Sequence, residues 1–215
     1  MSYSVIDTGN SRSFPGPHPL LGGAAGEGAV VVVIGERAGL GLKQIADRET
    51  RTAIVLELGL ECLGTHTGES GGKEGSNVLG FARYRLGNAD PSNLIELVRQ
   101  PRTKPDALRA AKALFEQAGF VVAVCGDFAG RIVDRLIRPY FNAALRRLDE
   151  ALASSEDLDT TLRLGLGYPE GPISLLERTG LARHFDVTQA LYEQLGDAAY
   201  APARRARVAK LRETK

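Results

Sequence analysis

The chain has 215 residues, 43% apolar and 25% charged, which suits one large or two small globular domains with a real core. Lys and Arg number 27 against 26 Asp and Glu, so a net charge of +1 gives no general attraction to nucleic acid or to an acidic partner. The two cysteines, Cys62 and Cys125, make neither a disulfide framework nor a zinc site, and no apolar run suits a membrane span or a secretory start. The composition reads as a reduced, cytoplasmic protein without a metal.

Residues 1–28 hold Gly, Ser and Pro at loop density and read as a flexible or loosely docked leader. Ala29 to Gly35 is a continuous β-branched run, as in a strand buried on both faces of a parallel sheet. Leu40 to Arg48 reads as helix and Thr52 to Leu58 as a second buried strand. The glycine-rich residues 64–77 read as a loop, and Val78 to Tyr84 and Asn93 to Val98 as further strands. Lys104 to Ala118 puts Leu108, Ala111, Leu114 and Phe115 on one helical stripe, closed by Gly119. Phe120 to Cys125 is one more strand. The segment 29–126 is therefore α/β.

Strand signals then stop. Ile132, Leu136, Tyr140, Ala144 and Leu148 recur every fourth residue, which predicts a long helix to about Ala153. Ser154 caps a new helix, Gly165 to Pro172 breaks the pattern, and three further helices follow over Ile173–Arg178, Ala182–Leu195 and Ala203–Leu211. The segment 127–215 is all-α. Its tail carries Arg204, Arg205, Arg207, Lys210, Arg212 and Lys215 against Glu213, most simply a solvated face.

Several pieces of this second half carry a resemblance. They are Ala129-Gly-Arg-Ile-Val-Asp-Arg135, Arg138-Pro-Tyr-Phe-Asn-Ala-Ala144, Ser155-Glu-Asp-Leu-Asp159 and Leu164-Gly-Leu-Gly-Tyr-Pro-Glu-Gly-Pro172, with Leu191 to Asp197 and Tyr200 after them. In this order and spacing they resemble the C-terminal domain of the 3-hydroxyacyl-CoA dehydrogenases. Val78 to Ala82, Leu94 to Val98 and Thr52 to Leu63 resemble the strands that precede that domain. The resemblance implies a shortened Rossmann-like sheet domain followed by the helical domain. It also implies NAD-dependent oxidation of a 3-hydroxyacyl-CoA to the 3-ketoacyl-CoA in fatty-acid β-oxidation. An acyl-CoA is then the substrate, and the helical domain the seat of a homodimer or of association with a full-length dehydrogenase.

Carried over residue by residue, the resemblance gives a damaged site. Gly35, Gly39 and Gly41 are the cofactor-binding candidates, but they are spaced G-x-x-x-G-x-G. Arg37 stands where the dinucleotide fingerprint needs its second glycine. Only residues 29–51 stand where the family has a far longer cofactor region. The family's base lies in a Gly-x-His segment, which here is Gly80-Phe81-Ala82, so the catalytic His is lost at Ala82. Glu96 matches the Glu that orients that His, with two extra residues between the sites. Asn142 matches the active-site Asn, a catalytic and substrate-binding candidate. Cys62 stands in place of a substrate-binding Ser. Of the histidines, His18 falls in the leader, His66 in the glycine-rich loop within reach of Cys62, and His184 in a segment read as surface helix.

Three readings stay open at this level: a working dehydrogenase, a non-catalytic module that binds acyl-CoA or a partner dehydrogenase, and a purely structural paralogue.

Overall fold

A computed structural model describes residues 2–23, 28–69 and 76–213. It divides into a sheet unit, residues 1–85 with 91–132, and a helical unit, residues 86–90 with 133–215.

The sheet unit has six strands: β1 (Tyr3–Asp7), β2 (Val30–Ile34), β3 (Ala53–Glu57), β4 (Val78–Arg83), β5 (Leu94–Arg99) and β6 (Val121–Gly126). They lie in sequence order, β1-β2-β3-β4-β5-β6. Pairing is parallel from β1 to β4 and from β5 to β6, and antiparallel only between β4 and β5. All residues of β2 and β3 are buried, as their unbroken apolar runs require in a sheet covered on both faces. Helix α3 (Pro105–Gln117) covers one face, packing Ala107, Ala111, Leu114 and Phe115 with Val30, Val55, Leu79 and Phe81. Helix α1 (Ala38–Gln44) covers the other, where Ala38, Leu42 and Ile45 meet Val31, Val33, Ile54 and Leu56. The expected glycine-rich loop contains a single helical turn, α2 (Gly64–Thr67), and its residues 70–75 lie outside the described residues.

The expectation of a flexible or loosely docked leader over residues 1–28 is corrected for residues 2–23 and 28, which the structure describes. Residues 3–7 are the edge strand β1, in register with β2 from Tyr3↔Val30 to Asp7↔Ile34. The connection that follows is docked, with Phe14 at 5% exposure and Leu20 at 2% in the core on the α3 face. Phe14 rests against Phe81 and Phe120, and His18 stacks on Phe120 at 5.0 Å. Aromatic burial therefore overrides the loop-like composition. This connection and the α1 crossover lie on opposite faces while both advance the sheet one strand in the same direction, so they have opposite hands. A helical crossover favours the right-handed path; the described residues between β1 and β2 hold only a single 3-10 turn at Pro19–Gly22.

The helical unit contains α4 (Val133–Asp149), α5 (Ser155–Leu166), α6 (Pro172–Thr179), α7 (Leu181–Leu195) and α8 (Arg204–Glu213). The Ser154 side chain accepts from the Asp157 N–H, and Gly167 closes α5 in the left-handed region at φ 69°. Asp159 then starts α6, accepting from the Ile173 and Ser174 N–H groups at 2.8 and 2.9 Å. A Cβ on Gly171 would lie 2.2 Å from the Asp159 side chain, so this close approach needs glycine. The basic tail is largely paired, Arg204 and Arg205 with Asp149 and Lys210 with Asp186.

Truncating Phe14 tests whether the first connection belongs to the core. Phe14→Ala is expected to lower unfolding stability by about 3–5 kcal/mol, as for a buried aromatic. Chemical denaturation measures it, and a loss of only a few tenths of a kcal/mol would mean that the segment is not docked.

Candidate functional site

The catalytic pair that the resemblance implies lies across two neighbouring strands. Ala82 on β4 stands directly opposite Glu96 on β5. Opposed residues of an antiparallel pair project to the same face with Cβ atoms about 4.5–5.5 Å apart. A His at 82 would meet Glu96, and the methyl of Ala82 leaves that place without a base.

Glu96 has found other partners. It is 2% exposed, and its Oε1 accepts from the Ile132 N–H at 2.9 Å. The Arg131 Nε lies 3.5 Å from its Oε2, and an Arg131 terminal nitrogen donates to the Gly59 carbonyl at 2.7 Å. Arg131 is itself 7% exposed and sits at φ 49°, a backbone conformation that a side-chain-bearing residue rarely adopts. Burying a carboxylate demands donors or a counter-charge. Here a backbone N–H and a guanidinium supply them, not an imidazole.

The glycine candidates follow β2, as a phosphate-binding turn would. Gly35 has φ 104° and its N–H donates to the Glu57 Oε2 at 2.6 Å. Glu57, at the end of β3, also accepts from the Ser13 N–H at 2.7 Å and the Ser11 hydroxyl at 2.8 Å. Each glycine has a packing reason of its own. A Cβ on Gly35 would lie 2.4 Å from the Gly9 carbonyl, one on Gly39 2.4 Å from His66 Nδ1, and one on Gly41 2.7 Å from Val33. Helix α1 has only seven residues and Arg37 at its N-cap. These residues do not fit NAD.

Asn142, on α4, is fully buried within the helical unit. Its Nδ2 donates to the Ala199 carbonyl at 3.1 Å, and its Oδ1 accepts from the Ala203 N–H at 3.4 Å. The same oxygen lies 3.0 Å from His184 Nε2, while His184 Nδ1 lies 3.1 Å from Arg138 Nη1. A guanidinium only donates, so Nδ1 is the acceptor and Nε2–H the donor. Asp134 completes the chain, 2.7 Å from Arg138 Nε. His184, expected on a surface, is 1% exposed, and burial followed by the Arg138 charge pushes its pKa down to about 3.

Cys62 is half-buried, its thiol pKa raised by burial first and then by Asp127. Burial and Glu96 push Cys125 up to about 11. Neither is an activated nucleophile. The ring partner of His66 is Glu61, with Nε2 3.3 Å from Oε1. Among the described residues no cluster of His, Cys, Asp and Glu is suited to a metal ion.

Sequence reasoning missed Glu57, Arg131 and the Asp134–Arg138–His184 chain. An acid ending an otherwise apolar strand was the only advance sign of Glu57. Nothing local marks Arg131, whose role depends on the strand pairing.

Residues 130–213 of the chain match the family model for the 3-hydroxyacyl-CoA dehydrogenase C-terminal domain. Over 109 residues it is 35% identical to a 3-hydroxybutyryl-CoA dehydrogenase of Bradyrhizobium diazoefficiens, covering 51% of this chain and 37% of that protein. Over 102 residues it is 40% identical to the mitochondrial hydroxyacyl-coenzyme A dehydrogenase of Sus scrofa, covering 47% of this chain and 32% of that one. These matches thus span about a third of the relatives' own lengths. The crystal structure of a 3-hydroxybutyryl-CoA dehydrogenase from Escherichia coli superposes with a TM-score of 0.71 at 22% identity, over 86% of this chain and 40% of that one. That of (S)-3-hydroxybutyryl-CoA dehydrogenase from Ralstonia eutropha gives 0.67 at 24%, over 84% and 64%. At these identities the two structures speak for the fold.

The buried His184 makes a pH prediction. Its folded pKa, about 3, lies below the unfolded value of about 6.5, so the unfolded chain binds the extra proton between them. This contribution is complete above about pH 6.5 and is lost as pH falls, at up to about 1.4 kcal/mol per pH unit. Denaturation of the wild type and His184→Gln between pH 5 and 6.5, above the carboxylate range, checks it: the slope is expected to flatten in the variant. Equal slopes would mean that the imidazole is not held neutral.

Proposed function

We propose that this chain is a non-catalytic, dimeric, acyl-CoA-binding member of the 3-hydroxyacyl-CoA dehydrogenase family. The observation that carries the reading is Ala82 opposite Glu96, whose carboxylate is taken by Arg131 and the Ile132 N–H. Oxidation of a 3-hydroxyl needs a group to accept its proton as hydride leaves. Loss of a general base alone costs about 10²–10⁴-fold in rate. The misfit of the Gly35–Gly41 turn to NAD removes the hydride acceptor as well. What remains whole is the helical domain, residues 130–213, and its family context makes acyl-CoA the ligand and fatty-acid metabolism the setting.

Dimerisation is supported by exposed leucines in the helical unit. Leu136 is 73% exposed, Leu152 67%, Leu164 75% and Leu166 60%. Exposed large apolar groups suit a protein interface. Among the described residues no helix is long and apolar enough to cross a membrane. Two free cysteines are in keeping with a reducing compartment such as the cytoplasm.

Two measurements test the reading. NADH consumption with acetoacetyl-CoA is expected to stay at the no-enzyme rate, for the protein and for a Glu96→Gln control alike; turnover abolished by that substitution would overturn the non-catalytic assignment. Light scattering is expected to give twice the chain mass, and Leu136→Glu with Leu164→Glu to give a folded monomer. A monomeric wild type would overturn the dimer.

A further inference from the structure

We infer that residues 9–14, anchored on Glu57, occupy the crevice where a dinucleotide would lie, so that the sheet unit is complete without a cofactor. Ligands of open α/β sheets bind outside the carboxyl ends of the parallel strands. In this chain the segment leaving β1 runs across those ends. The Gly9 carbonyl accepts from the Glu36 N–H at 3.0 Å, just past β2. Ser11 and Ser13 hold Glu57 at the end of β3, and the Ser13 hydroxyl accepts from the Arg83 N–H at 3.2 Å at the end of β4. Arg83 also donates to the Ser13 carbonyl at 3.3 Å, and Arg12 to the Arg85 carbonyl at 3.0 Å. Phe14 then locks the segment into the core.

The chemistry is a substitution of one anion for another. A Gly35 N–H at the end of β2 is the kind of donor that would face a phosphate. It faces the Glu57 carboxylate at 2.6 Å instead. The positive φ and the absent Cβ of Gly35 serve the Gly9 carbonyl, as the space for a Cβ shows. The cleft left beside the segment measures ≈ 260 Å³, under the about 300–1,000 Å³ of ordinary ligand pockets. Glu36, Glu57 and Glu61 line it against Arg12, a balance that repels phosphates. The inference rests on residues apart from the Ala82–Glu96 pair and deepens the non-catalytic reading.

Residue-resolved amide exchange, with and without millimolar NADH, tests it on the full chain. The Ser13 and Gly35 amides are expected to exchange slowly without NADH and to be unchanged by it, and NADH to leave the melting temperature where it was. Glu57→Gln leaves fewer acceptor oxygens for three donors and should speed both amides by about tenfold or more. Should that variant not fold, Ser11→Ala removes one donor only and should speed Gly35 in the same direction. Fast exchange of both amides in the wild type would overturn the inference. So would an NADH-induced rise in melting temperature, or exposure of residues 9–14 on NADH addition, the mark of a movable gate. NADH binding without turnover would overturn this inference alone, whereas turnover would overturn the non-catalytic reading.

Discussion

A carboxylate shut inside a protein must be surrounded by donors, and Glu57 organises the sheet unit by that demand. It collects the Gly35 N–H, the Ser13 N–H and the Ser11 hydroxyl. To bring Ser11 and Ser13 there, the chain must cross the ends of three strands before it descends past Phe14 to start β2. The glycine at 35 belongs to that path, since a Cβ there would meet the Gly9 carbonyl. A phosphate-bearing cofactor would have to replace the carboxylate and lift the segment, losing charge-assisted hydrogen bonds worth about 1.5–3 kcal/mol each.

The same logic repeats at β5. Glu96 is buried on β5, and the position opposite it is the methyl group of Ala82. Arg131 adopts a strained backbone to bring a positive charge beside it. In the helical unit, Asn142 binds Ala199, Ala203 and a neutral His184, so each polar atom of its side chain has a partner inside that unit. Glu57, Glu96 and Asn142 are here held by partners within the chain itself, and satisfied buried polar groups stabilise a fold without doing chemistry.

Much of the architecture was legible in the sequence. The unbroken run Ala29 to Gly35 announced a doubly covered strand, the four-residue recurrence from Ile132 announced α4, and the Ser154 cap located α5. The local pattern of residues 1–28 misled, because Pro and Gly density reports a lack of repeating structure and not a lack of docking. Tyr3 to Asp7 is too short and too polar to stand out, and it becomes a strand only because β2 offers an edge. The alanine at 82, where the resemblance puts a His, was visible in the sequence. That Arg131 would take the remaining Glu96 was not, since the two meet through β5 pairing and the backbone turn at 131. His184 misled for a related reason: a single His near a helix start says nothing of the Arg138 and Asn142 that enclose it.

Titration calorimetry with NADH and with acetoacetyl-CoA, each added separately to the purified protein, tests most directly whether the family's ligand binding has been kept while its redox chemistry has been lost. Saturable heat is expected from acetoacetyl-CoA and none from NADH. Saturable NADH binding, or the lack of a saturable response to acetoacetyl-CoA, would contradict it.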